Sequence, residues 1–143
     1  MQSALCSIRR LAVAALVSGI ALVGAQVASA ATKPFKGKIA VTSNTVLFTH
    51  KIGTATETFA NAQVTYTGGI KGHASETYVT LTKANGQAIQ YGFGEFSGSI
   101  NGHMGTATYS FSGPSTSGGI GKFLSGTGGL AHVRGGFTYH IIK

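Results

Sequence analysis

Cysteine is nearly absent from these 143 residues: Cys6 stands alone, and it lies within the first thirty. Past residue 30 no disulfide can staple the fold and no thiol can serve as a nucleophile, so stability has to come from a core and from sheet pairing. Aspartate is missing altogether, and the carboxylates are Glu57, Glu76 and Glu95. A helical apolar period is missing too, since from Lys33 onward no 3.6-residue repeat survives more than two turns. Nine Lys and Arg beyond residue 30, against three Glu, give a net charge of about +6. They are scattered (Lys33, Lys36, Lys38, Lys51, Lys71, Lys83, Lys122, Arg134, Lys143) and make no basic stripe with stacking aromatics, which argues against nucleic-acid binding. Loose attraction to an anionic envelope surface is enough to account for the sign.

The first thirty residues read as a signal peptide. Arg9 and Arg10 form a basic start, residues 11–25 are an uncharged apolar run, and Ala28-Ser-Ala30 offers small residues to a signal peptidase. Cleavage is expected after Ala30, with Ala31 the near alternative. A retained anchor fits less well, because the run falls short of the roughly 20 residues that span a bilayer. Cys6 precedes the run, so it is not a lipoprotein cysteine. The expectation is an exported, secreted or periplasmic protein of one domain, residues 31–143, with no stable membrane insertion after cleavage.

Within that domain Thr, Ser, Val, Ile, Tyr and Phe alternate with small residues between Gly or Asn, the pattern of strand after strand. Segments 36–43, 45–51, 54–60, 62–67, 73–82, 87–96, 104–112, 119–125 and 136–142 are the expected strands. Lys83-Ala-Asn-Gly86 is the expected tight turn, because Asn-Gly favours the positive φ that a two-residue hairpin needs. The motif Gly68-x-Ile70-x-Gly72-His73 returns as Gly98-x-Ile100-x-Gly102-His103, which suggests hairpins on a common plan. Spacing alone leaves a sandwich or an up-and-down barrel. Twenty glycines after residue 30 favour a strongly coiled, closed barrel, where they permit bends and bulges.

Phe96-Ser-Gly-Ser-Ile-Asn-Gly102, Ala84-Asn-Gly86 and Ser125-Gly-Thr-Gly-Gly-Leu-Ala-His-Val-Arg-Gly135 resemble a bacterial family of unknown function. That family is grouped with the allene oxide cyclases and dirigent proteins. The resemblance runs from Thr54 to His140 and implies an eight-stranded antiparallel up-and-down barrel with a lumen able to hold an apolar substrate. It also leaves a homo-oligomer open. Its motifs are structural glycines, so it speaks to fold more than to activity. Two positions depart from the family pattern: Phe111 stands where His is frequent, and His103 where Arg or Lys is usual.

Motifs with their own chemistry are scarce. Gly126-Thr-Gly-Gly-Leu-Ala131 fits a dinucleotide fingerprint in letters, but a turn and a strand follow it rather than a helix. Gly119-Ile-Gly-Lys122 lacks the Ser or Thr of a phosphate loop. His50, His73, His103, His132 and His140 show no ligand spacing, so no metal or other cofactor is expected. The carboxylates remain. Each Glu shares a strand face with an aromatic two residues away: Glu57 with Phe59, Glu76 with Tyr78, Glu95 with Phe93 and Tyr91. Inside an aromatic lumen such a carboxyl is desolvated and titrates nearer neutrality, fit for acid–base work. At a strand end on the barrel mouth it is simply solvated, and the Phe96-Ser-Gly turn region directly after Glu95 favours that placement for it.

Glu95 and Tyr91 are therefore the candidate catalytic residues, with Tyr78 beside them. Tyr66, Tyr78, Phe93, Tyr109, Phe111 and Phe137 are the candidate ligand-binding residues. Three readings stand: a barrel that binds a small apolar ligand, a cyclase or isomerase using a lumen Glu, and a non-catalytic structural or interaction protein of the envelope.

Overall fold

The structure is a computed structural model and describes residues 14–19 and 34–142. It is all-β and antiparallel, with each strand paired to the next in chain order and no helix among the described residues. Seven strands make up the body: β2 (Lys36–Ile52), β3 (Ala55–Gly68), β4 (Ile70–Thr82), β5 (Ala88–Ile100), β6 (His103–Pro114), β7 (Gly118–Gly128) and β8 (Gly135–Ile142). These seven do not close on themselves. A six-residue strand, β1 (Ala14–Gly19), lies between β2 and β8 and pairs with both. It comes from the apolar run assigned above to the signal peptide; the remainder of residues 1–30, with the expected cleavage point, lies outside the described residues.

The seven-stranded sheet coils so far that Phe35, just before β2, meets Phe123 of β7 at a ring separation of 6.1 Å. Its concave face buries Ile39, Val64, Tyr66, Ile70, Phe96, Tyr109, Phe123, Phe137 and Tyr139, with Leu130 and Val133 from the loop before β8. Rows across this face alternate bulky and small. Register places Tyr78, Gly92, Phe111, Gly121 and Phe137 side by side on successive strands, and one row along stand Glu76, Gly94, Tyr109 and Phe123. A tightly curved sheet has no room for a ring on every strand, so each glycine takes the overhang of its neighbour's ring. Outside, the sheet carries polar cross-strand pairs, among them Thr77 donating to Asn61 and Ser75 donating to Gln63, both at 3.0 Å.

Three local expectations are corrected. Segments 36–43 and 45–51 are one strand, as are 54–60 and 62–67, because Asn44 pairs with Ala62 and Asn61 with Thr45 inside the ladder. The reversal falls at Gly53, whose φ is 60°. The Lys83–Gly86 turn is present, its Gly86 N–H donating to the Lys83 carbonyl at 2.9 Å. It is not a two-residue hairpin loop, however: only Gly86 takes a positive φ, and the Lys83 N–H donates to the Gln87 carbonyl at 2.8 Å. The two-residue loop is Asn101-Gly102, with φ of 50° and 87° between the paired Ile100 and His103.

The repeat, finally, is not two copies of a hairpin. Its first half begins β4 and its second ends β5, so that Ile70 faces Ile100 and Gly72 faces Gly98 across one ladder. The two isoleucines seal that end of the core. A Cβ on Gly98 would stand 2.0 Å from the carbonyl oxygen of Lys71, so this pair admits only glycine without moving backbone.

Candidate functional site

One line of hydroxyl and carboxyl groups crosses the interior. Tyr109 donates to Glu76 Oε1 at 2.6 Å, and the hydroxyls of Tyr66 and Tyr109 are 2.8 Å apart. A phenol has one proton to donate, so Tyr66 is the donor to Tyr109. The chain of bonds runs Tyr66 to Tyr109 to Glu76.

Local sequence explains the geometry. Even-numbered residues of β4 face inward, which brings Glu76 in line with Ala74 and Tyr78. Gly94 on β5 separates Glu76 from Tyr109 in the register, and the Tyr109 ring lies over it; a Cβ there would sit 2.1 Å from Tyr109 Cζ. Tyr66 is held edge-on against Phe96, with ring centroids 5.5 Å apart.

Two further phenols complete the surroundings. Tyr78 donates to Asn44 Oδ1 at 2.9 Å. The Tyr139 hydroxyl is buried and makes no hydrogen bond. A buried polar atom left without a partner costs on the order of 1–3 kcal/mol.

Burial dominates the acid–base character here. It raises the Glu76 carboxyl above the ordinary glutamate value, and the hydrogen bond from Tyr109 only partly offsets this. Burial likewise raises Tyr66, Tyr109 and Tyr78, with the Glu76 charge adding to each rise. Tyr139 is pushed up to about 12, first by burial and then by Glu76. Each phenol thus keeps its proton at neutral pH, and the carboxyl holds its own more tightly than a surface glutamate.

The interior is not uniformly open. Between Phe35, Tyr66, Ile70, Phe96 and Tyr109 the remaining void is about 10 Å³, no more than one water. Toward the other end Val41, Glu76, Tyr78 and Phe111 stay half-buried although they line or flank the concave face.

Of the expected ligand-binding residues, Tyr66, Tyr78, Tyr109, Phe111 and Phe137 do meet on this face. Phe93 does not: it is 65% exposed on the outer face. The candidate catalytic residues Glu95 and Tyr91 both lie outside with Phe93, Tyr91 at 44% exposure, so of the two placements open to Glu95 it takes the solvated one. The inward face of β5 is Gly92, Gly94, Phe96, Gly98 and Ile100: the Tyr109 ring occupies the space above Gly94, and the β4 backbone crowds Gly92 and Gly98. Glu57 is half-buried on the face of β3 that carries exposed Asn61 and Gln63. The interior carboxyl is Glu76, whose alternation with Ile70, Ala74 and Tyr78 is the signal that marks it. All five histidines are exposed, and no group of His, Cys, Asp and Glu among the described residues could hold a metal.

Compared with protein-family models and with curated proteins, the chain matches none.

Proposed function

We propose that this is an exported small β-sheet protein that holds a small, mostly apolar ligand among the half-buried aromatics beside Glu76. The observation that carries this reading is the buried Tyr139 hydroxyl without a partner, next to the half-buried Phe111 ring with centroids 6.2 Å apart. Once these rings part, a ligand carbonyl or hydroxyl would satisfy it, while the rings take the apolar body. The resemblance to allene oxide cyclase and dirigent barrels supports a ligand in the lumen.

The closed eight-stranded barrel of that resemblance and cleavage after Ala30 exclude each other in one chain, because the eighth strand here is Ala14–Gly19. With cleavage the processed chain is seven-stranded, and the seam between β2 and β8 is a side entrance to the interior.

A second reading is a cyclase or isomerase in which Glu76, rather than Glu95, moves a proton. The desolvated carboxyl and its Tyr109–Tyr66 relay favour it, since such a group exchanges protons nearer neutrality.

Native mass spectrometry of the protein taken from its own exported fraction tests both. A bound small molecule, lost on Tyr139→Phe, is the expected result. A ligand-free mass in repeated preparations would move the protein to the structural or interaction class.

A further inference from the structure

We infer that the free edge of β2 is a self-pairing surface, and that two copies of the chain join there into one continuous sheet. β1 pairs with β2 only as far as Ala40. Among the described residues nothing pairs with that edge from 42 to 52, and all eleven residues of this stretch are exposed. It carries Val46, Leu47 at 52%, Phe48 at 54% and Ile52 in water.

An uncovered, apolar edge strand is a pairing template unless charge, proline or a bulge protects it. From 42 to 50 there is no Lys, Arg, Asp, Glu or Pro. Two bulges are present: Thr42 is the extra residue between the paired Val41 and Ser43, at the start of the stretch, and Leu47 between the paired Val46 and Phe48, at its centre. At Leu47 the bulged side chain is itself apolar and exposed, so it adds to the surface.

Self-complementarity selects a second copy as the occupant. Residues 36–40 face the seam toward β8, and the stretch clear of that seam, 42–52, is centred on Leu47. An antiparallel pairing about a two-fold axis at that residue sets Val46 against the partner's Phe48 and Thr45 against the partner's Thr49. It also sets Asn44 against the partner's His50 and Ser43 against the partner's Lys51. Apolar meets apolar, polar meets polar, and no two like charges face each other, in a chain whose net charge is strongly positive. A two-fold contact of this kind is closed, which limits it to a dimer.

Leu47→Cys in the processed protein supplies the decisive test, since the chain past residue 30 has no other cysteine. Opposed residues of an antiparallel pair approach within disulfide reach. With a mild oxidant, a disulfide-linked dimer is expected for Leu47→Cys and none for Phe93→Cys, which is more exposed and lies on another strand. By sedimentation velocity the unmodified protein should be dimeric, and Leu47→Lys, which sets two ammonium groups together at the axis, should weaken the dimer at least tenfold. Circular dichroism checks that both variants fold. A monomeric unmodified protein overturns the inference. So does a dimer that survives Leu47→Lys, or a strand-edge complex formed only with a different protein.

Discussion

Tyr109 on β6 donates a hydrogen bond to Glu76 on β4 across an intervening strand, and it can do so because residue 94 of that strand has no side chain. The contact joins a glycine pattern to the titration of an interior carboxyl.

Glu76→Gln keeps the acceptor for Tyr109 and removes the charge. A carboxyl whose folded pKa is raised contributes stability that is complete below its unfolded value of 4.5 and is lost as pH rises through the folded value. The native protein should therefore lose stability on going from pH 4 toward neutrality, and the variant should lose less. Thermal melts across that range measure the difference; parallel curves would mean that Glu76 is fully solvated.

Tyr109→Phe breaks the line at its centre, leaving the Tyr66 hydroxyl without its acceptor. A loss of about 1–3 kcal/mol is expected from denaturant titration. Without its donor the Glu76 carboxyl should titrate still higher, so the pH-dependent loss should shift upward in the same melts.

Phe93 and Phe96 are three residues apart and opposite in environment, 65% and 1% exposed. Phe96→Ala should cost about 3–5 kcal/mol. Phe93→Ala should stay within about 0.5 kcal/mol. Urea midpoints of the two variants check the inward face of β5, and reversed values would place Glu95 and Tyr91 inside after all.

Alkaline titration followed by tyrosinate absorbance should show delayed ionisation of Tyr66, Tyr78, Tyr109 and Tyr139. Their raised folded values mean that stability is complete below pH 10 and declines above it, so unfolding should accompany their ionisation. Smooth titration near 10 with the fold intact would contradict the buried line.

Mass spectrometry of the exported protein should give Ala31 or Thr32 as its first residue. An intact Met1 would refute the signal peptide and restore β1 as the eighth strand.

Composition and alternation were sufficient for an all-β antiparallel chain: no helical period, no cysteine past residue 30, and strands punctuated by Gly and Asn. They also identified most of the aromatic set, because Tyr66, Tyr78, Tyr109, Phe111 and Phe137 alternate with small residues whichever way the faces are assigned. The direction of β5 was a different matter. One of its faces is aromatic and the other mostly glycine, and local preference puts the aromatic face inside. Only the register of the neighbours reverses this: the Tyr109 ring arrives from β6 and fills the space above Gly94, while the backbone and Cβ of Tyr78 on β4 close in on Gly92. With β5 turned, Glu95 goes to solvent and Glu76 becomes the interior acid. A period of two tells which residues share a face; which face is buried is decided by side chains from adjacent strands, and that is tertiary information.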